Sequence, residues 1–334
     1  MSRTYQGGII TNSPATPTGP FQCGTAPGIW TIDQMLAWQK AGVWPTAGNA
    51  YGTVAIFALG CVSGSSTTRD KYTFSGCVVS SGAAASTASR QGAAAGNVTV
   101  GIFALGSTYP VAIYSNIRNK YTYSNCTSAV ATASSIVGRY GSAAGNSSLG
   151  IFAIGGTCVS CGCIIRNKYT YSSCLSSSAT NASGPSVFSS AAGNSTIGIF
   201  ALGNCVTTRN KYTYSGDTSA AATASSGPSL GGSAAGTSTF GIFALGCSSG
   251  SKTIRNKYTY SSCTNASATA ATSAKYLGSA AGNSTVGIFA LGLGPSTCRN
   301  KYTYSGCVVS TGGAASASSY TGSAASNGTT GVNT

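Results

Sequence analysis

The chain has 334 residues, 42% of them apolar and only 6% charged, with eighteen Lys and Arg against Asp33, Asp70 and Asp217, a net charge of +15. It contains no His and no Glu, which excludes a Ser-His-Asp triad, removes half of the usual zinc ligands, and leaves three Asp in unrelated contexts that cannot pair for glycoside hydrolysis. A non-enzymatic protein is expected, without cofactor or metal.

Met1 to Pro20 is polar and rich in Pro and Gly, without the apolar core of a secretory signal, and no stretch of the chain approaches a membrane span. Synthesis in a cytoplasm and no membrane contact are therefore expected. Ser13 to Pro20 reads as a linker. Thr31-Ile-Asp-Gln34 fits a capping box, which predicts a helix over about 32–41 ended by Gly42. Trp30, Trp38 and Trp44 all fall here and are the only Trp of the chain. A short helix with three Trp around it needs a surface to pack on, either its own body or another subunit. Residues 1–46 are accordingly assigned as an anchoring arm, with Trp30, Trp38 and Trp44 as its candidate contacts.

From residue 47 onward one unit repeats. Gly-Ile-Phe-Ala-Leu-Gly starts at 101, 198, 241 and 287, with variants at 55 and 150, so successive starts lie 46, 49, 48, 43 and 46 residues apart. Each run is a continuous apolar strand bounded by Gly, of the kind buried on both faces. A basic-aromatic strand follows, Arg69-Asp-Lys-Tyr-Thr-Phe and then Arg-Asn-Lys-Tyr-Thr-Tyr from Arg118, Arg166, Arg209, Arg255 and Arg299. An Ala/Ser/Thr stretch and an Ala-Ala-Gly-Asn segment complete four short strands. One such unit cannot cover both faces of its sheet, so its neighbours must, and closing the array removes the exposed ends. The chain begins the array at Ala47-Gly-Asn and ends it on Gly322-Ser-Ala-Ala-Ser-Asn, so one terminus can complete the other's sheet. The expected fold is all-β: a β-propeller of six blades over 47–334, with seven blades or an open array as alternatives.

Twelve of the eighteen basic residues belong to the repeated strand: Arg69, Lys71, Arg118, Lys120, Arg166, Lys168, Arg209, Lys211, Arg255, Lys257, Arg299 and Lys301. Alternation places Arg, Lys and Thr on one face and Asn and Tyr on the other. Two readings stay open. The basic stems pack on rings of the adjacent blade with their charges at the rim, or a ring of positive charge docks an acidic partner. Basic residues interleaved with aromatics also suit nucleic acid, but the tyrosines recur as part of the blade, which disfavours that partner.

The thirteen Cys are ordered. The spacing of 16 residues in Cys61–Cys77, Cys158–Cys174 and Cys247–Cys263, with the shorter Cys298–Cys307, suggests disulfides within blades and an oxidising final environment. Free thiols acting as small apolar residues are the alternative.

Two resemblances bear on identity. The order Ala-Ala-Gly-Asn, Ile-Phe-Ala-Leu-Gly, variable loop, Lys-Tyr-Thr-Tyr resembles a degenerate kelch repeat; Gly155-Gly156 keeps that family's double Gly, and its Trp is absent. Kelch-type copper oxidases use His, so their activity does not carry over. The run Ala26-Pro-Gly-Ile-Trp-Thr-Ile-Asp-Gln with Gly42-Val-Trp-Pro resembles openings of tailed-bacteriophage tail-fibre and virion proteins, and the repeats look similar to arrays in large phage structural proteins, cyanophages included. The resemblance implies a virion protein (tail fibre, capsid decoration or host-binding part) made in the host cytoplasm and exposed outside the cell. Its partners would be other virion proteins in a symmetric or homo-oligomeric assembly, with a host-surface glycan as a further partner. A free carbohydrate-binding or adhesive propeller is the alternative.

Overall fold

The structure, a computed structural model, describes residues 31, 33, 34 and 36 of the first fifty, and then 53–60, 64–108, 111, 113–157, 162–246, 250, 252–274, 276–292, 296–318 and 320–327. The chain divides into two compact units, Met1–Tyr51 and Gly52–Thr334.

In the first unit Asp33, Gln34 and Leu36 are helical. The capping box is formed in both directions: Thr31 N donates to Gln34 Oε1 at 3.0 Å and Gln34 N to Thr31 Oγ1 at 3.2 Å. Two helix-end donors are thereby satisfied within one turn. Trp30, Trp38 and Trp44 lie outside the described residues.

The second unit is a six-bladed β-propeller. Its 24 strands form six four-stranded antiparallel sheets. In the second blade the inner strand is Ala93–Gly96, the second Val100–Ala104, the third Arg118–Thr122 and the outer Thr127–Ala131. Inner strands are buried at every residue and touch their neighbours around the ring, whereas outer strands alternate exposed and half-buried. This gradient explains the composition. Six strands crowd around one axis, so only Ser, Ala and Gly fit there. The Ile and Phe of the second strand face opposite blades and are fully buried, each side chain contributing about 1.5–3 kcal/mol.

Closure occurs where the repeat segment at each end predicts it. Ser323–Ser326, from the end of the chain, is the inner strand of the first blade and pairs antiparallel with Val54–Ala58, Ile56 opposite Ala325 and Phe57 opposite Ala324. Asn327 Oδ1 then accepts Val54 N at 2.9 Å.

The glycine that ends each apolar run has a backbone role. Gly60, Gly106, Gly155, Gly203, Gly246 and Gly292 all lie between φ +62° and +76°, and a Cβ on any of them would fall within 2.5 Å of the backbone entering an inner strand. Only Gly meets both conditions. The Asn after Ala-Ala-Gly also has a local role. Asn97 Oδ1 accepts Thr99 N and Val100 N at 2.9 and 3.0 Å, and its Nδ2 donates to Ser147 O of the next blade at 2.9 Å. Asn146 and Asn194 repeat the link to Ser195 O and Ser238 O. These Asn-x-Ser/Thr triplets are therefore turn sequence.

Candidate functional site

Two places hold the chemically strong side chains: the junctions between blades, and the end of the propeller axis where the connectors into the inner strands meet.

At each junction the alternation read from the sequence holds. One blade presents Ile, Arg and Lys, and the next presents Phe, Asn and Tyr. Six guanidinium groups lie over the Phe of the following blade, Arg69 over Phe103 at 4.6 Å, Arg118 over Phe152 at 4.5 Å and Arg209 over Phe243 at 4.6 Å among them. Nη2 of five of them reaches the following blade's Asn, as in Arg69 to Asn119 Oδ1 at 3.1 Å and Arg166 to Asn210 Oδ1 at 3.1 Å, and that of Arg299 reaches Asp70. Nη1 takes a second acceptor where one exists, Ser128 for Arg69, Ser176 for Arg118 and Asn265 for Arg209. In the last blade that position is Val309, and Arg255 Nη1 has no partner.

Neither open reading of the basic strand placed the charge here. Arg69, Arg118, Arg166, Arg209, Arg255 and Arg299 are at most 1% exposed, so their charges are neither at a rim nor free to dock a partner. Cation–π contact is worth about 2 kcal/mol or more once desolvated, and hydrogen bonds from Nη2 tie each guanidinium to the next blade, while Nε of each has no hydrogen-bond partner. The six lysines, Lys71, Lys120, Lys168, Lys211, Lys257 and Lys301, are half-buried. Lys168 pairs with Asp217 at 3.1 Å. The second ion pair among the described residues is buried: Arg299 Nη2 to Asp70 Oδ2 at 2.8 Å, both side chains 1% exposed. It sits where the sixth blade meets the first, and Asp70 replaces the Asn of the other five repeats.

Burial of these junctions sets an alkaline limit on stability. Desolvation lowers Arg69, Arg118, Arg166, Arg209 and Arg255 to about 10, and lowers Arg299 despite Asp70. Desolvation raises twelve tyrosines, Tyr121 and Tyr258 to about 12 and others further. The signs oppose. The arginine cost is fully present below pH 10 and relieved as pH rises from there. The tyrosine contribution is fully present below pH 10 and lost as pH climbs through the folded values. Twelve groups outweigh six, so the folded state holds more protons and stability falls as pH rises past 10. A spectrophotometric titration is expected to show the core tyrosines ionising together with unfolding near pH 12; tyrosinate formation at pH 10 in a still-folded protein would contradict this.

The expected disulfides are absent among the described residues: Cys77, Cys174, Cys263, Cys298 and Cys307 carry free thiols, as do Cys126, Cys163 and Cys205. Cys61, Cys158 and Cys247 lie outside the described residues. The reason is clearest for Cys298 and Cys307. The third strand Arg299–Thr303 runs between them. A five-residue strand spans roughly 17 Å, and a disulfide needs Cα atoms within about 7 Å. Equal spacing along the chain recorded one repeat position at each end of a strand, not proximity.

The axis carries the second feature. Antiparallel pairing puts the second-to-third-strand loops at the same end as the connectors entering the inner strands, and isolated bridges such as Arg90 to Gly106 and Leu230 to Gly246 join them. One connector residue per blade stands at the axis: Gln91, Tyr140, Phe188, Gly231, Leu277 and Thr321, all with φ between +52° and +62°. Their backbones form a circular chain of hydrogen bonds. Gln91 N donates to Thr321 O (2.8 Å), Thr321 N to Leu277 O (2.8 Å), Leu277 N to Gly231 O (2.7 Å), Gly231 N to Phe188 O (2.9 Å), and Tyr140 N to Gln91 O (2.8 Å), with Ser189 N closing onto Tyr140 O (3.4 Å). They surround a depression of about 310 Å³. Gln91 Nε2 donates to Tyr140 Oη at 2.8 Å, the Tyr140 and Phe188 rings stack at 3.6 Å, and the Arg139 guanidinium lies over Tyr140 at 4.7 Å. Here the six blades stop being alike. Sequence reasoning missed this ring. Its signal was the pair of varying residues before each Gly-Ser-Ala-Ala segment, such as Arg139-Tyr140 and Leu230-Gly231.

In fold, the solved structure of YjhT is similar, with a TM-score of 0.53 and 10% identity over 73% of this chain and 93% of that one. At that identity the likeness shows the propeller fold alone. No protein-family model and no curated protein matches the chain in sequence.

Proposed function

We propose that this chain is a non-enzymatic structural protein of a phage particle, a tail fibre, capsid decoration or host-binding component, anchored by residues 1–46 and presenting the loop end of its propeller. The observation that carries this reading is the division of labour inside the repeat. Residues that are constant from blade to blade build the junctions, and the connector residues that differ gather around the axis, an arrangement suited to presenting surface from a rigid scaffold. The absence of His and Glu removes the usual acid–base groups, and the N-terminal run and the repeats resemble phage virion proteins. On this reading the protein is made in the host cytoplasm and works on the particle outside the cell. Mass spectrometry of purified particles should find the chain, and removal of residues 1–46 should abolish its incorporation while the propeller stays folded. Particles without the chain would overturn the proposal, and retained incorporation would overturn the anchor.

The second reading, a free carbohydrate-binding propeller, is favoured by the depression itself, where Tyr140, Phe188, Arg139 and Gln91 offer ring faces beside polar groups. A glycan array with the purified propeller separates the two, since a free lectin must bind there and a particle scaffold need not.

A further inference from the structure

We propose that Cys126 and Cys174 are oxidation sites at which a cysteine sulfinate takes the role that Asp217 fills as a carboxylate. The three residues occupy one repeat position, the end of the turn after the third strand. The backbone there is left-handed, φ 54°, 55° and 47°. Asp is a favoured residue in that region and Cys is not, so local conformation does not account for the thiols.

The three residues share a lysine of the preceding blade and a tyrosine of their own third strand. Asp217 accepts from Lys168 Nζ of the preceding blade at 3.1 Å, from Thr180 N at 2.9 Å, and from Tyr212 Oη beneath it. Cys126 Sγ has Lys71 Nζ at 3.5 Å and Cys174 Sγ has Lys120 Nζ at 4.0 Å, each from the preceding blade. Tyr121 Oη and Tyr169 Oη, at the repeat position from which Tyr212 bonds Asp217, are buried without a hydrogen-bond partner. Thr132 Oγ1 donates to Cys174 O as Thr180 Oγ1 donates to Asp217 O. A lysine that binds a carboxylate in one blade therefore faces a thiol in two others. Both cysteines are half-buried and open to a small oxidant.

The chemistry balances with hydrogen peroxide as the oxidant. The thiolate sulfur attacks one peroxide oxygen, the O–O bond breaks, and sulfenic acid and water form. A second peroxide oxidises the sulfenic acid to sulfinic acid with release of a second water. Each step moves two electrons from sulfur to oxygen, and the sulfinic proton passes to solvent, leaving a pyramidal anion with two acceptor oxygens beside the lysine. The product is heavier by about 32 Da and does not revert spontaneously.

The full chain treated with hydrogen peroxide is expected to gain two oxygens at Cys126 and Cys174 by peptide mass mapping, and its thermal midpoint to rise by roughly 2 °C. Lys120→Met should lower the sulfinate yield at Cys174 several-fold while Cys126 in the same molecule reacts as before. Cys174→Asp should melt higher than Cys174→Asn, which shares the left-handed preference but lacks the charge. Equal sulfinate yields with and without Lys120, or a Cys174→Asp variant no more stable than Cys174→Asn, would overturn the proposal.

Discussion

Removing the closing strand, by ending the chain at Gly322, is expected to abolish cooperative folding of the propeller. Ser323–Ser326 supplies the whole inner strand of the first blade. Its loss removes about four ladder hydrogen bonds, each worth about 1 kcal/mol net, and uncovers Ile56 and Phe57, which are 0% and 1% exposed. Their burial is worth about 1.5–3 kcal/mol each. The sum, roughly 7–10 kcal/mol, falls within the total stability of about 5–15 kcal/mol available to a domain. The bare edge of Val54–Ala58 would also invite pairing between molecules. Chemical denaturation should show no sharp transition, and size-exclusion chromatography should show aggregates. A truncated chain that unfolds cooperatively near the wild-type midpoint would mean that blade contacts alone hold the ring.

Asp70→Ala is expected to cost about 3–5 kcal/mol, because it strands the Arg299 guanidinium in a site that excludes water. Asp70 Oδ2 accepts both Arg299 Nη2 at 2.8 Å and Ser316 N at 3.0 Å, and Oδ1 accepts Ser316 Oγ, so one truncation leaves three donors unpaired. Asp70→Asn should cost far less, about 1 kcal/mol. It recreates the pairing of the other five junctions, where an amide oxygen accepts from Arg at 3.1–3.4 Å, as in Arg69 to Asn119 and Arg118 to Asn167. Urea titration of the two variants gives the comparison. Equal losses would show that the charge of Asp70, and not its acceptor oxygen, holds this junction together.

That contrast also marks where the sequence stops being readable. Alternation in Arg118-Asn-Lys-Tyr assigned each side chain to its correct face, because a strand leaves no other choice. It carried no information on depth. A guanidinium is ordinarily at a surface, and only the next blade's Phe152 and Asn167 make its burial tolerable. The cysteine pairing failed for a related reason. The separation of Cys298 from Cys307 is short along the chain and long in space, because the strand between them is extended. The axial ring escaped notice because Gln91, Tyr140, Phe188, Gly231, Leu277 and Thr321 share no residue type; they share a left-handed backbone, which their identities do not reveal.

The sequence by itself determined the six-fold repeat, the four strands of each unit, the small residues of the inner strands, the capping box at Thr31 and Gln34, and the shared terminal segment that closes the ring. All of these follow from local periodicity and turn chemistry, which a chain displays in order. Only the tertiary structure decided that the strand arginines are core, that the thiols stay apart, and that the varied residues converge on one axis. Each of these depends on what the neighbouring blade places opposite a residue, and that neighbour lies about 46 residues away along the chain, where no local pattern reaches.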